Sequence, residues 1–273
     1  GAVQNAYGNL KIADVKQIIE NQGITITQSL VTIGAVANEA TNVLYWFVTG
    51  LEFEGIFEYN QITGSTVMVL GSTSNQLGLD ENHLITGVNF ITDGAGGGFL
   101  LWTDNLNQPR KININRCKTY SIDDPRIDLD INLIVAPPLN SPFISLKTLL
   151  DPNINPNNIE DKFVYFSYRY KYLDNEYSAM SPLSAVSFNP KQLLIDSDTG
   201  ENKGMLNQFN QAEVIFETGN EFVKEIQLLV WESRTLNVKI VETLNKEEIG
   251  IQDNSTYKII IKNKNKSLSF PTP

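Results

Sequence analysis

The stretch GGFLLWTDNLNQPRKININR, from Gly97 to Arg116, carries the pattern on which the fold depends. An apolar segment ends at Trp102, a polar corner follows, and a second segment alternates apolar and polar residues. Asp104 is suited to accept hydrogen bonds from turn amides, and Pro109 is suited to the edge of a strand. The pattern therefore predicts a β-hairpin.

A similar pattern occurs earlier in the chain. Leu44-Tyr45-Trp46 leads across a loop to the alternating segment Gly55–Asn60, and Trp46 precedes Ile56 by the same ten positions that separate Trp102 from Ile112. Repeated meander units of this kind are typical of propeller blades. The alternative, two unrelated hairpins that share a tryptophan, remains open at this point.

The rest of the first half also alternates with a period of two. Strands are predicted at Val43–Thr49, Gly55–Asn60 and Ser65–Leu70, which together form an antiparallel meander. Ile12–Asn21 has apolar residues at helical spacing with Asp14 near its start, so it is predicted to be a short helix, or else a strand followed by a turn.

The second half has a different signature. Phe163–Tyr172 alternates so that its valine, its second phenylalanine and its tyrosines at 168, 170 and 172 share one face. Further strands are predicted at Ile127–Val135, Tyr177–Met180, Ala212–Glu217, Glu225–Glu232, Val238–Leu244 and Tyr257–Lys262. About seven short strands are typical of an immunoglobulin-like or fibronectin-like sandwich.

The predicted fold class is therefore all-β, in two domains with a boundary near Tyr120. Residues 1–120 are expected to form a propeller-like antiparallel meander that is part of a larger propeller. Residues 121–273 are expected to form a fibronectin-like β-sandwich, completed by another fragment or chain because the last strand has no partner after it.

Composition excludes several classes of protein. The formal net charge is -10, which argues against wrapping a nucleic-acid duplex through phosphate neutralisation. One cysteine and one histidine exclude an internal disulfide framework and multi-cysteine or multi-histidine metal cages. No apolar run is long enough to span a membrane. We predict no cofactor and no metal site.

Three stretches together resemble a known family. They are GVNFITDGAGGGFLLWTDNLNQPRKINI, DKFVYFSYRYKYLDNEYSAMSPLSAVSF, and FVKEIQLLVWES with KIVETLNKEE. The sequence resembles the predicted stabilisation proteins of crAss-like bacteriophages, the tail muzzle or nozzle proteins, over roughly Ala35 to Lys262. The shared motifs are structural, and none of them is catalytic.

The resemblance implies a structural virion protein of a bacteriophage tail. Such a protein forms a homo-oligomeric ring, a hexamer by family analogy, at the distal DNA exit channel, and it retains the packaged genome until infection. Its expected partners are other tail proteins and its own C-terminal fragment, since the chain would be the N-terminal part of a longer, cleaved polypeptide. DNA would pass without sequence-specific binding along an acidic wall.

Enzymatic activity is not expected. Gly94–Gly98 lacks the Lys-Ser/Thr of a phosphate loop and leads into a strand, and Asp196–Glu201 lacks the distal glutamate of a calcium loop. His83, beside Asp80 and Glu81, has no marked nucleophile. Cys117 lies between two cations that would lower its pKa, yet an idle thiol is the simpler interpretation.

Two further groups keep an alternative function open. The carboxylate pairs Asp123/Asp124 and Asp128/Asp130 would suit a glycosidase at the right separation. Exposed tyrosines would suit a carbohydrate-binding or carbohydrate-cleaving cell-surface protein; the candidates are Tyr45, Tyr165, Tyr168 and Tyr170. A third hypothesis is a propeller scaffold for protein partners. The basic residues Arg110/Lys111 and Arg116/Lys118 are candidates for contact with phosphate or with an acidic neighbour.

Overall fold

The computed structural model describes residues 13–92, 97–146, 157, 159–233 and 238–262. It divides into two compact units between Ile134 and Val135. The division lies beyond the boundary predicted near Tyr120, because Ile127 and Ile131 are buried in the core of the first unit. Within the described residues, no helix is long and apolar enough to cross a membrane.

The first unit, as far as its residues are described, contains two antiparallel sheets. The first has the order β1-β2-β3-β4, a simple meander, and the second has the order β5-β6-β7. The strands are β1 Val31–Asn38, β2 Val43–Thr49, β3 Glu54–Asn60, β4 Ser65–Ser72, β5 Gly87–Thr92, β6 Gly98–Thr103 and β7 Arg110–Asn113. The helices are α1 Val15–Glu20, α2 Ile114–Cys117 and α3 Ile127–Asp130. The all-β prediction is confirmed.

Both sheets of the first unit contribute to one core. The ring of Phe47 on β2 lies 5.1 Å from that of Trp102 on β6, and Tyr45 stacks on Phe90 of β5 at 5.8 Å. Burying each of these rings contributes on the order of 2 kcal/mol from the hydrophobic effect alone. The apolar side chains on the inner face of each sheet are therefore buried against the other sheet.

The two tryptophan hairpins are not equivalent. Trp46 pairs with Phe57, whereas Trp102 pairs with Arg110. Trp46 is half-buried against a separate cluster that includes Phe57, while Trp102 is buried between the sheets. The shared ten-residue spacing conceals different registers, because β6 ends one residue after Trp102 whereas β2 continues for three residues after Trp46.

Local predictions about the turns are confirmed. Asp104 accepts hydrogen bonds from the amides of Leu106 and Asn107 at 3.0 and 2.8 Å, as expected for an aspartate in a corner. The helical interpretation of Ile12–Asn21 is correct for α1, whose N-cap Asp14 accepts from the amide of Gln17 at 3.4 Å.

The strand predicted at Ile127–Val135 is wrong, because α3 occupies its start. Ile127 and Ile131 are buried and Leu129 between them is exposed. The apolar positions four residues apart face the core, which is helical spacing. The I-D-L-D-I pattern fits both the two-residue period of a strand and the four-residue spacing of a helix. The carboxylate of Asp124 accepts a hydrogen bond from the amide of Arg126, which favours the start of a helix at this point.

The described residues of the second unit also form two antiparallel sheets, with orders β12-β11-β9 and β13-β10-β8. The strands are β8 Phe143–Ser145, β9 Val164–Tyr172, β10 Gln211–Glu217, β11 Val223–Glu232, β12 Val238–Asn245 and β13 Thr256–Lys262, and helix α4 is Lys246–Ile249. Tyr168 of β9 packs against Phe216 of β10 with ring centroids 5.3 Å apart, so both sheets line one core.

The predicted face of β9 is confirmed. Its valine, second phenylalanine and first two core-facing tyrosines, at 164, 166, 168 and 170, are buried in this core, and Tyr172 packs against the core with part of its ring exposed. The strand predicted at Tyr177–Met180 is wrong. Tyr177 makes a single bridge to Lys171, and the residues after it follow a different period.

Candidate interaction surface

A serine-rich segment, residues 178–187, runs along the outer edge of β9. Its serines recur every third residue, and each donates its backbone amide to a β9 carbonyl at 2.8–2.9 Å. The donor and acceptor pairs are Ser178–Tyr170, Ser181–Tyr168, Ser184–Phe166 and Ser187–Val164. Three residues of this serine segment therefore span the same length as two residues of β9, which is about 6.7 Å. The segment advances only about 2.2 Å per residue.

The serine hydroxyls complete the edge of β9. The hydroxyl oxygens of Ser178, Ser181 and Ser184 accept from three successive outward-pointing amides of β9, at 3.0, 3.1 and 2.9 Å. All four serines are buried. A serine provides both a donor and an acceptor here, so the edge leaves few free groups for an incoming strand.

The residues between the serines form an exposed apolar row. Met180, Leu183 and Val186 each follow a serine by two positions, and they are 49%, 47% and 37% exposed. Met180 and Leu183 line a shallow groove of about 210 Å³ together with Trp231 and Val238. The period that buries the serines therefore also aligns these side chains toward solvent.

The neighbouring sheet face extends this apolar area. Tyr165 of β9 packs against Trp231 of β11 with centroids 5.2 Å apart, and Val238 and Ile240 of β12 are exposed beside them. We call this surface the apolar patch; its residues are Tyr165, Met180, Leu183, Trp231, Val238 and Ile240. Contiguous exposed apolar surface on a rigid sheet is typical of a protein interaction site.

The same sheet face becomes polar at its other end. Lys171 binds Glu225 at 3.0 Å, and Arg169 donates to Gln227 at 2.8 Å while stacking over Tyr177. The hydrogen bond to Glu225 raises the pKa of Lys171. These pairs satisfy one another, so the apolar patch has a polar border on one side.

Three of the four predicted carboxylates are engaged by neighbouring groups of the first unit, and the fourth, Asp128, is exposed. Asp123 is bound by the loop at 72–74, and Asp124 forms an ion pair with Arg126 at 2.6 Å that lowers the pKa of this aspartate to about 2. Asp130 accepts from Arg116 and from the hydroxyl of Tyr120 at 2.8 Å. These three carboxylates connect loops and helices of the first unit.

His83 and Cys117 also lie in local structural environments, one in a turn and the other buried on a helix. The Nδ1 atom of His83 lies 3.2 Å from Asp80, and both belong to one turn, in which the His83 amide also donates to the Asp80 carbonyl. Cys117 is buried on α2. Its cationic neighbours are engaged by carboxylates, since Arg116 binds Asp130 and Lys118 binds Glu58 at 2.6 Å.

The other loop candidates are the glycine run and the turn at Asp196. Gly94–Gly96 lie outside the described residues, and Gly98 begins β6. Asp196 accepts from the amides of Asp198 and Thr199 and forms an ion pair with Lys203, which is an ordinary turn. Within the described part of the chain, no three His, Cys, Asp or Glu side chains are grouped to hold a metal ion.

Arg110 and Lys111 contact different groups of the first unit. Arg110 donates to Asn132 at 2.8 Å, and Lys111 is buried with its ammonium 5.3 Å from the ring of Phe99. Of the four predicted tyrosines, Tyr45, Tyr168 and Tyr170 are buried. Only Tyr165 is partly exposed, and it belongs to the apolar patch.

Sequence analysis missed the serine segment. Its signal is visible in the sequence as serines at 178, 181, 184 and 187, a period of three that fits neither a helix nor a strand.

No known protein-family model matches the sequence, and no curated protein matches it significantly.

Proposed function

We propose that this chain is a structural subunit of a bacteriophage tail that assembles with copies of itself into a ring. The observation that carries the proposal is the apolar patch, an exposed hydrophobic area on a sheet whose β9 edge is already closed by the serine segment. A surface of this kind suits a permanent contact between rigid subunits. The resemblance to tail muzzle proteins supplies the setting, the virion.

The finer architecture belongs to the same proposal. The β1-β2-β3-β4 meander has the strand order of a propeller blade, and the two sheets of the second unit share a core as in a fibronectin-like sandwich. A closed propeller would need strands from the rest of the polypeptide or from other subunits. The ring would be hexameric, and it would contact other tail proteins and a C-terminal fragment of the same polypeptide.

The mechanism would be mechanical. The ring would surround the DNA exit channel, hold the packaged genome and yield at infection. The net charge of -10 supports an acidic channel wall, which repels phosphate and keeps the duplex from adhering. Cryo-electron microscopy of the native particle tests this directly, and a basic wall or a chain outside the tail would contradict it.

A pair of matched variants tests the contact itself. Leu183 in the apolar patch and Leu194 outside it are both exposed leucines of the second unit, at 47% and 61%. Leu183→Glu is expected to abolish higher oligomers in native mass spectrometry, because a carboxylate would be desolvated in the contact. Leu194→Glu is expected to leave them intact. Equal behaviour of the two variants, or a wild-type monomer at every concentration, would contradict the proposal.

The partly exposed aromatic pair Tyr165 and Trp231 also favours one alternative. Aromatic rings beside a groove can bind sugar rings, so a carbohydrate-binding protein remains the second candidate. A glycan array distinguishes the two functions. Binding that is lost in Tyr165→Ala, in a protein that stays monomeric, would favour the carbohydrate function over the ring.

A further inference from the structure

A hairpin of residues 190–207, which we call the arm, belongs to neither of the described sheets of the second unit. It follows the serine segment directly in the sequence. Backbone hydrogen bonds join its two sides, since the amide of Lys203 donates to the carbonyl of Leu194 at 2.7 Å and the amide of Asp196 donates to the carbonyl of Glu201 at 2.8 Å. The arm is therefore a two-stranded ribbon that ends in a tight turn.

Polar contacts hold the arm at its base and at its tip. At the base, Asn207 is buried; its backbone amide donates to the carbonyl of Glu160 at 2.6 Å, and its side-chain amide donates to the carbonyl of Ser187 at 3.0 Å. At the tip, Asp196 forms an ion pair with Lys203. A two-stranded hairpin alone is at best marginally stable in water, so these contacts maintain its shape. A segment that is already ordered loses little conformational entropy when it binds a partner.

The arm exposes large apolar side chains on both of its faces. Leu193, Leu194, Ile195 and Met205 are between 52% and 69% exposed, and the core clusters of the described residues include none of them. Successive side chains of an extended strand point to opposite faces, so Leu194 lies on one face of the ribbon and Ile195 on the other. A flat partner surface would cover only one of these faces, whereas a cleft that encloses the arm would cover both.

The tip of the arm is acidic. Asp198 and Glu201 are exposed, and the nearby ammonium group of Lys203 is already paired with Asp196. Two carboxylates therefore face a partner that approaches the tip. A second copy of this chain, with a net charge of -10, is a poor source of the cations that would neutralise them, and DNA would repel them. The charge of the tip thus favours a basic protein partner.

We propose that the arm inserts into a cleft of a different protein, with apolar walls on both sides of the arm and lysine or arginine side chains at its floor. The walls would cover Leu193, Leu194 and Ile195 and remove their apolar surface from water. The cations at the floor would form ion pairs with Asp198 and Glu201. The arm lies outside the apolar patch, so this contact is independent of the proposed ring.

Methionine oxidation measures both contacts in one experiment. Met180 in the apolar patch and Met205 in the arm have nearly equal exposure, 49% and 52%. Hydrogen peroxide is added to the purified chain and to the assembly isolated from the native source, and peptide mass spectrometry follows sulfoxide formation at each methionine. Met205 is expected to react at least about tenfold more slowly in the native assembly than in the purified chain, because the cleft excludes peroxide.

The two methionines separate the two proposals. In the purified chain, self-association is expected to slow the oxidation of Met180 and to leave Met205 unprotected. Protection of Met180 without protection of Met205 in the native assembly would overturn the arm inference and leave the ring, and the opposite result would overturn the ring alone. Protection of Met205 in the purified chain would identify a second copy as the occupant, which also overturns the inference.

Charge reversal at the tip tests the basic floor of the cleft. Asp198→Lys combined with Glu201→Lys, introduced into the native source, is expected to abolish the protection of Met205, because cations would then meet cations. The control is Glu39→Lys combined with Glu81→Lys, which reverses two exposed carboxylates of the first unit and is expected to retain the protection. An unchanged midpoint in urea shows that each variant is folded. Retained protection in the tip variant, or equal loss in both variants, would overturn the inference.

Discussion

Asp123 shows how a single residue joins distant parts of the first unit. Its backbone has a φ of 58°, and its carboxylate accepts from the amide of Thr73 at 2.7 Å and from the hydroxyls of Ser72 and Ser74 at 2.9 Å. Burial opposes ionisation of this aspartate, but the hydrogen bonds from residues 72–74 outweigh it and lower its pKa. The charged form therefore ties the end of β4 to the segment before α3.

Asp123→Asn is expected to destabilise the chain at neutral pH by about 2 kcal/mol, the usual size of charge-assisted hydrogen bonds. Asparagine tolerates positive φ, so the loss reports the carboxylate and not the backbone. Urea denaturation at pH 7 measures it. Asp198→Asn, at an exposed turn, is the control and is expected to change stability by less than about 0.5 kcal/mol.

The pH dependence of the same variant has a defined sign. The pKa of Asp123 in the folded chain lies below the ordinary value of 3.8. The stabilisation that this carboxylate contributes is therefore complete above pH 3.8 and is lost as the pH falls toward the folded pKa. Wild-type stability is therefore expected to fall on acidification more steeply than that of Asp123→Asn. Parallel curves for the two proteins below pH 5 would contradict this assignment.

At the scale of elements, the serine segment replaces a strand beside β9. A regular strand would satisfy the β9 edge with its backbone alone, whereas this segment uses serine hydroxyls for the β9 amides and serine amides for the β9 carbonyls. The arrangement leaves two residues between successive serines. Those residues are free to form the exposed row that begins at Met180.

Ser181→Ala tests this arrangement. The hydroxyl of Ser181 accepts from the buried amide of Tyr168 at 3.1 Å, and alanine would leave that amide without this acceptor. We expect a loss of about 1–3 kcal/mol in the free energy of unfolding, the cost of an unsatisfied buried donor. Chemical denaturation measures it, with Ser197→Ala in an exposed turn as the control. A loss equal to that of the control would show that the hydroxyl does not support β9.

At the scale of the whole molecule, each unit has a main core of its own among the described residues. One is centred on Phe47 and Trp102, and the other on Tyr168 and Phe216. Each core is enclosed by two sheets from its own half of the sequence. Each half is therefore expected to fold as an independent cooperative unit.

Fragment stability tests where the first unit ends. Residues 1–134 are expected to unfold cooperatively in urea, whereas residues 1–120 are expected to be much less stable, because they lack the buried side chains of Ile127 and Ile131. Removing two such side chains costs on the order of 4–10 kcal/mol, comparable to the total stability of a small domain. Equal midpoints for the two fragments would place the boundary near Tyr120 instead.

The sequence by itself determined the local features that depend on a single period. Alternation predicted β2 at its observed ends and the buried face of β9, and turn chemistry predicted the role of Asp104. These features are determined by neighbouring residues, whose side-chain directions follow directly from the backbone.

Only the tertiary structure decided the features that depend on distant partners. The register of Trp102 against Arg110 depends on where β6 ends, and α3 forms because Ile127 and Ile131 meet the first core. The carboxylate of Asp123 accepts hydrogen bonds from a loop 49–51 residues away in the sequence, and no local pattern indicates this contact. The role of the serines that close β9 likewise depends on a strand elsewhere in the chain, because hydrogen-bond satisfaction at an edge depends on what lies beside it.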